Sequence, residues 1–236
     1  MITGILYIVA TPIGNLADIT YRAVETLQRV DLIVCEDTRT SQKLFERYKI
    51  ATQKTSFYQF QKNKGAVKPM PKGDFIISQL KDGKNIALVT DAGTPGISDP
   101  GNQLVEYAVK NNIAVIPIPG VSALTTLASV SGIDLSRFIF LGFPPHKKGR
   151  ETFFREVVVQ KYPVSYFESP HRLIKNLELL KSLAPEKRII LGRELTKMFE
   201  EIVSDAVRML ILLFWITLAF IIIWGALWAR EVSKTR

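Results

Sequence analysis

Ile86-Ala-Leu-Val-Thr-Asp-Ala-Gly-Thr-Pro-Gly-Ile-Ser-Asp-Pro-Gly101 is the stretch on which the fold turns. Its first four residues are an unbroken apolar run of strand length, which predicts a strand buried on both faces. The twelve residues from Thr90 to Gly101 hold three glycines, two prolines and two aspartates. A plain turn does not need so many special backbone residues. A buried strand that opens into such a loop predicts a ligand site at the carboxyl end of a parallel sheet. Glycines at 93, 96 and 101 do not have the spacing of a dinucleotide fingerprint, and no Gly-Lys-Ser/Thr follows for a phosphate loop. A rigid loop with exposed main-chain groups suits a small, polar, densely hydrogen-bonding ligand.

Outward from this stretch, apolar runs and helix-period segments alternate. Strands are predicted at Ile5–Ala10, Leu32–Cys35, Ile86–Val89, Val115–Ile118, Phe138–Leu141, Val164–Phe167 and Arg188–Leu191. Helices are predicted at Tyr21–Val30, Ser41–Tyr48, Phe75–Lys81, Leu104–Lys110, Ala123–Ser129, Arg150–Val158 and Leu173–Leu183. Alternation of this kind means an α/β fold with a largely parallel sheet. The prolines and glycine of Pro117-Ile-Pro-Gly120 mark a domain boundary, giving a first α/β domain over 1–118 and a second, incomplete one over 119–204.

Other strand ends also carry polar groups. Ala10-Thr-Pro-Ile-Gly-Asn-Leu16 follows the first strand, and by itself reads more readily as a turn than as a site. Glu36-Asp-Thr-Arg39 follows the second. It fits a polar ligand site or, equally, an Asp37 or Thr38 helix cap beside a surface ion pair. Pro119-Gly-Val-Ser-Ala123, Phe140-Leu-Gly-Phe-Pro-Pro145 and Glu168-Ser-Pro-His-Arg172 lie in the second half, where His171 reads as a helix-start residue next to Pro170. No serine stands in a G-x-S-x-G elbow, which argues against a hydrolase triad. The lone Cys35 sits in an apolar run and reads as a buried structural thiol. His146 and His171 are far apart, so no zinc spacing exists and no metal is expected.

Apolar residues at 47% and charged residues at 22% describe an ordinary globular chain of 236 residues. Its formal net charge is +9, which favours an anionic partner such as RNA about as strongly as it favours a generally basic surface. The N-terminus lacks the basic region of a signal peptide, and a cytoplasmic fold is expected. The last thirty residues differ. Met209 to Ala229 carries no charge and one polar side chain, Thr217, between Arg208 and Arg230. About 20 apolar residues span a bilayer as a helix, so residues 205–236 are predicted as a transmembrane helix and short tail.

The segments "VATPIGNLADIT", "CEDTRTSQKL", "LVTDAGTPGISDPG", "PIPGVSAL", "FLGFPPHKKGRE", "YFESPHRL" and "GRELTKMFEE" together resemble the RsmI branch of the tetrapyrrole-methylase-like superfamily, in order and spacing, from residue 5 to about 201. The resemblance implies two small α/β domains with S-adenosyl-L-methionine in a cleft between them, and a homodimer. It implies cofactor contacts from Pro12, Gly14, Asp91, Ala92, Gly93, Thr94, Ile97, Ser98, Ser122, Ala123, Leu141 and Gly142. The implied reaction is methylation of a cytidine 2′-hydroxyl in small-subunit ribosomal RNA. Glu36, Asp37 and Glu168 are then candidates for the base, and Arg39, Arg150, His171 and Arg172 for contacts to RNA.

Two segments depart from the family. Phe57-Tyr-Gln-Phe-Gln-Lys-Asn63 keeps only the asparagine of a stretch that usually carries histidine, glutamate and asparagine. After Glu201, Ile202-Val-Ser-Asp-Ala-Val-Arg208 runs into the apolar segment where the family has a further helix and closing strands, which predicts a second sheet with a raw edge. Besides an active RNA methyltransferase with a membrane anchor, the sequence fits two other readings. One is a truncated or fused, membrane-tethered cofactor-binding remnant with little activity, and the other a small-molecule methylase of the same superfamily.

Overall fold

The computed structural model describes residues 3–57, 71–99 and 101–206. They divide into two compact units, one of residues 1–129 with 194–200, the other of 130–193 with the chain from 201 on. The run predicted to cross a membrane, Met209 to Ala229, lies outside the described residues, as does most of the segment from 57 to 63. Among the described residues, no helix is long and apolar enough to cross a membrane.

The first unit is one parallel sheet with helices on both faces. Its strands are β1 (Ile5–Val9), β2 (Leu32–Cys35), β3 (Lys54–Ser56), β4 (Ile86–Val89) and β5 (Ala114–Ile118), in the order β3-β2-β4-β1-β5. All four residues of β2 and of β4 are buried, as unbroken apolar runs demand of central strands. Alternation sorts them by face. Leu32 and Val34 pack with Ile76, Ile77 and Leu80 of α3 (Pro71–Lys81) and with Leu104 and Ala108 of α4 (Asn102–Lys110). Ile33 and Cys35 pack with Ala23 and Leu27 of α1 (Tyr21–Arg29) and with Leu44 and Phe45 of α2 (Thr38–Arg47). Each such fully buried aliphatic or aromatic side chain contributes roughly 1.5–3 kcal/mol. Thr20 caps α1 by accepting from the Ala23 N–H at 3.1 Å.

This arrangement fixes where the sheet opens. β1 and β4 are hydrogen-bonded neighbours, Leu6 opposite Ile86. The chain leaves β1 toward α1 on one face and leaves β4 toward α4 on the other. Neighbouring strands whose connections part to opposite faces leave a crevice outside their carboxyl ends.

Three details differ from the sequence reading. β3 was not expected, because Lys54-Thr-Ser56 has no apolar residue; it forms along the free edge of β2. Pro117 does not end the sheet. It lies within β5, an edge strand that needs to pair only with β1, where a missing N–H is tolerated. Residues 119–129, including α5 (Ala123–Ser129), therefore group with the first unit rather than the second.

The second unit holds a parallel pair, β6 (Ile139–Phe140) and β7 (Val164–Ser165), and an antiparallel pair, β8 (Arg188–Arg193) and β9 (Glu201–Ala206). Two helices accompany them, α6 (Arg150–Val159) and α7 (Pro170–Leu183). Phe154 and Leu180 are buried against each other, and Phe153, Phe154 and Tyr166 meet edge to face. Glu201–Ala206 pairs along the whole of β8, Arg188 opposite Ala206 and Arg193 opposite Glu201, and among the described residues this sheet stays two-stranded. The side chains of β9 alternate in exposure, the pattern of a half-covered strand.

Candidate functional site

The crevice between β1 and β4 is lined by the segments the sequence singled out. Thr11 and Gly93 exchange both backbone hydrogen bonds at 2.9 Å, an isolated bridge that ties the loop after β1 to the loop after β4. The Thr11 hydroxyl donates to the Thr90 carbonyl at 3.2 Å, and the Thr94 hydroxyl donates to the Val121 carbonyl at 3.0 Å. These bonds place Pro12 and Gly14, the run from Asp91 to Ser98, and Ser122 and Ala123 along one edge. Asp91, Ala92, Ile97 and Ser98 are exposed there. Gly93 (φ 80°) and Gly96 (φ 87°) occupy the left-handed region, and Ser98 does so at φ 66° despite its Cβ. Such strain in a non-glycine residue clusters at ligand sites. A Cβ at Gly93 would find Ile13 at 3.5 Å and Val121 at 3.8 Å, so conformation, not crowding, selects glycine there.

Carboxylates gather beside this edge. Asp91 accepts from the Asp37 N–H at 3.1 Å, while its own N–H donates to the Glu36 carboxylate at 3.3 Å. Burial, then the neighbouring Asp91 and Asp37, push Glu36 above the usual carboxylate range. Burial, then Glu36 and Asp91, push Asp99 up to about 6. Asp37 goes the other way. Its carboxylate caps α2 through the Arg39 N–H at 2.8 Å and pairs with the Arg39 guanidinium at 2.7 Å, which hold it down at about 2. Of the two readings of Glu36–Arg39, the structure makes Asp37 and Arg39 the helix cap with its ion pair. Glu36 remains at the crevice.

A further segment contributes that the sequence reading assigned to no site. Residues 194–200, between β8 and β9, belong to the first unit. The Asn15 N–H donates to the Thr196 hydroxyl at 3.1 Å, and Gly14 is packed so closely that a Cβ would lie 2.5 Å from the Lys197 side chain. Glu194 and Thr196 both have positive φ. The run Gly192-Arg-Glu-Leu-Thr-Lys197 carried this signal only through family resemblance. Asp99 was legible as one of two aspartates in the glycine-rich loop, but its proximity to Glu36 was not.

In the second unit, Leu141 and Gly142 follow β6; the Leu141 N–H donates to Ser165 at 3.0 Å and the Gly142 carbonyl accepts from Phe167 at 2.8 Å. Glu168 follows β7 and is largely enclosed. It takes the Ser169 N–H at 2.6 Å, the Arg172 guanidinium at 2.7 Å and the Asn176 amide. Arg172 also donates to the Pro144 carbonyl at 3.2 Å. Glu168 and Arg172, candidates for base and RNA contact, are thus joined in a largely buried ion pair that fixes the Phe143–Pro145 turn. His171 is exposed at the start of α7, and Arg150 opens α6. Cys35 is fully buried, and burial pushes its thiol up to about 11, as befits a structural residue. Among the described residues, no cluster of histidine, cysteine and carboxylate side chains is arranged to hold a metal ion.

A two-face parallel sheet with this crevice and a second α/β unit define a class that sequence comparison names. The family model of tetrapyrrole (corrin/porphyrin) methylases matches residues 5–210, and the chain belongs to that family. Relatives within it are named ribosomal RNA small subunit methyltransferase I. That of Leptospira biflexa is 44% identical over 207 residues, covering 86% of this chain and 82% of its own length. That of Mesorhizobium japonicum is 44% identical, covering 87% of this chain and 68% of its own, and that of Thermotoga maritima is 41% identical, covering 86% and 90%. Among solved structures, a cobalamin biosynthetic enzyme, cobalt precorrin-4 methyltransferase, superposes with a TM-score of 0.59 at 16% identity, covering 86% of each chain. Uroporphyrin-III-C-methyltransferase of Thermus thermophilus gives 0.57 at 14%, covering 87% of this chain and 86% of its own. At these identities the solved structures share the fold.

Proposed function

We propose that the chain is an S-adenosylmethionine-dependent methyltransferase acting on a cytidine 2′-hydroxyl of small-subunit ribosomal RNA. The observation that carries this reading is the edge tied by the Thr11–Gly93 bridge, in a chain 44% identical to proteins named for that RNA. The donor brings a methyl group on a cationic sulfonium, together with an ammonium group. The first unit's edge fits it: exposed residues Asp91 and Ala92, a left-handed turn at Gly93, and carboxylates at Glu36, Asp91 and Asp99 for its positive charges. Pro12, Gly14, Thr94, Ile97, Ser98, Ser122 and Ala123 complete that side.

The acceptor hydroxyl must lose its proton as its oxygen gains the methyl group. Glu36 and Asp99 suit that task better than Asp37 or Glu168. Their carboxylates are raised toward neutral pH, whereas Asp37 is held at about 2 and Glu168 is already the acceptor of three hydrogen bonds. Positioning of the two reactants supplies much of the remaining acceleration. Arg39 and His171, both exposed, remain RNA contacts in this reading. We assign its globular part to the cytoplasm and the chain to a homodimer, a stoichiometry that light scattering on the full chain would check.

The test is transfer of labelled methyl from S-adenosylmethionine to small ribosomal subunits lacking the 2′-O-methyl mark, with the product mapped by nucleotide. Methylation of a corrin or porphyrin, with subunits untouched, would overturn the reading. The uncharged run from Met209 to Ala229 adds a membrane tether to it. The full chain should then stay with carbonate-washed membranes, and a monodisperse species without detergent would remove the tether.

A further inference from the structure

The second unit carries a cleft of about 500 Å³ between α6 and α7, lined by Lys147, Arg150, Glu151, Lys175, Glu178 and Leu179. Its charges are not balanced internally. Glu151 is engaged by Arg155 at 2.7 Å, an ion pair along α6. Among the described residues, Lys147, Arg150 and Lys175 have no ion-pair partner, and Glu178 alone is left to offset them. The start of α6 adds to this. Gly149 precedes it at φ 87° and offers no side-chain oxygen, so the first turn has no side-chain cap; the Arg150 N–H is held by the Lys147 carbonyl at 3.3 Å, and the one acidic residue of that turn, Glu151, is the carboxylate already taken by Arg155.

Three cations, a helix start, one unengaged carboxylate and a leucine form a mixed lining. A cleft sunk between two helices admits a single strand more readily than a planar array of lipid headgroups. A ribonucleotide backbone alternates phosphates with 2′-hydroxyls, which are hydrogen-bond donors, and presents sugar and base faces to a leucine. We infer that this cleft grips the backbone of the RNA acceptor, with Lys147, Arg150 and Lys175 on phosphates and Glu178 on a ribose hydroxyl. This rests on the RNA-methylating reading above. It moves the RNA anchor from Arg172, whose guanidinium is committed to Glu168 and Pro144, to the exposed α6–α7 face.

The experiment is filter binding of the full chain to small-subunit ribosomal RNA lacking the 2′-O-methyl mark, across a salt series. Both lysines are exposed, so Lys147→Ala/Lys175→Ala should melt like the parent. It should weaken RNA binding about tenfold at physiological salt and lower the salt slope by about 1.4–1.8, two phosphate contacts' worth. Lys147→Arg/Lys175→Arg should restore both, and affinity for S-adenosylmethionine should not change in either. Arg22→Ala/Lys81→Ala, an equal charge loss on the first unit, should leave the slope near the parent's. A double lysine variant with parental affinity and slope would overturn the cleft, as would an equal loss in the first-unit control. Loss of binding to phosphatidylserine vesicles with RNA binding intact would overturn it in favour of a lipid surface. If the parent binds no RNA at all, the RNA-methylating reading falls first and the cleft with it.

Discussion

Asp99 and Arg172 show how one side chain's surroundings set its consequence. Asp99 keeps its proton up to about pH 6, so ionising it costs folded-state stability that the unfolded chain does not pay. The penalty is absent below about pH 4, the ordinary carboxylate value, and complete above about pH 6. Asp99→Asn should therefore raise the melting temperature of the ligand-free protein at pH 7.5 and leave it unchanged at pH 4; a loss at pH 7.5 would contradict the assignment. A cationic ligand reverses the balance, so calorimetry near pH 6 in buffers of different ionisation enthalpy should detect protons released on S-adenosylmethionine binding. Arg172 has the opposite character. Its removal would leave Glu168 enclosed without its counter-charge, which costs about 3–5 kcal/mol in comparable buried pairs. Urea unfolding of Arg172→Ala should show a loss of that size, whereas a change under 1 kcal/mol would mean the pair is solvated. None of this could be read from Glu168-Ser-Pro-His-Arg172 as letters, because the letters do not say which side chains are enclosed.

Elements were legible where apolar runs left no alternative. Leu32–Cys35 and Ile86–Val89 have nothing polar to expose, and they are the sheet's central strands. Lys54–Ser56 became a strand because β2 offered an open edge, a fact absent from its own composition. Glu201–Ala206 was not legible because Glu-Ile-Val-Ser-Asp-Ala has no apolar alternation of its own; it forms along the edge that β8 offers. The glycine-rich loop after β4 was recognisable as a candidate site. Its junction with the loops after β1 and β5 was not, because that depends on strand order. Gly120 belongs to this junction: a Cβ there would stand 2.9 Å from the Ala10 side chain. Gly120→Ala should push the exit of β5 away from β1 and cost about 1–3 kcal/mol, the usual range for overpacking. Thermal melts check the cost. Because Val121 accepts from Thr94, the same variant should also weaken S-adenosylmethionine binding.

For the molecule as a whole, the two units differ in how much they enclose. The first buries two clusters, one on each face of its sheet. The second, among the described residues, fully encloses little beyond Phe154, Leu177 and Leu180. Amide hydrogen exchange should therefore show β1, β2 and β4 as the slowest segments, with β6 and β7 opening at lower free energy. Equal protection in the two units would contradict this. The place of β1 in the sheet has a consequence during synthesis. Both of its neighbours, Ile86–Val89 and Ala114–Ile118, are translated long after it, so the nascent chain carries Ile5–Val9 out of the ribosome with no partner on either side. An apolar strand waiting that long is exposed to wrong pairings and to chaperones. It is settled only when β4 and β5 have emerged to close around it, and the edge tied by the Thr11–Gly93 bridge cannot exist in any shorter nascent chain.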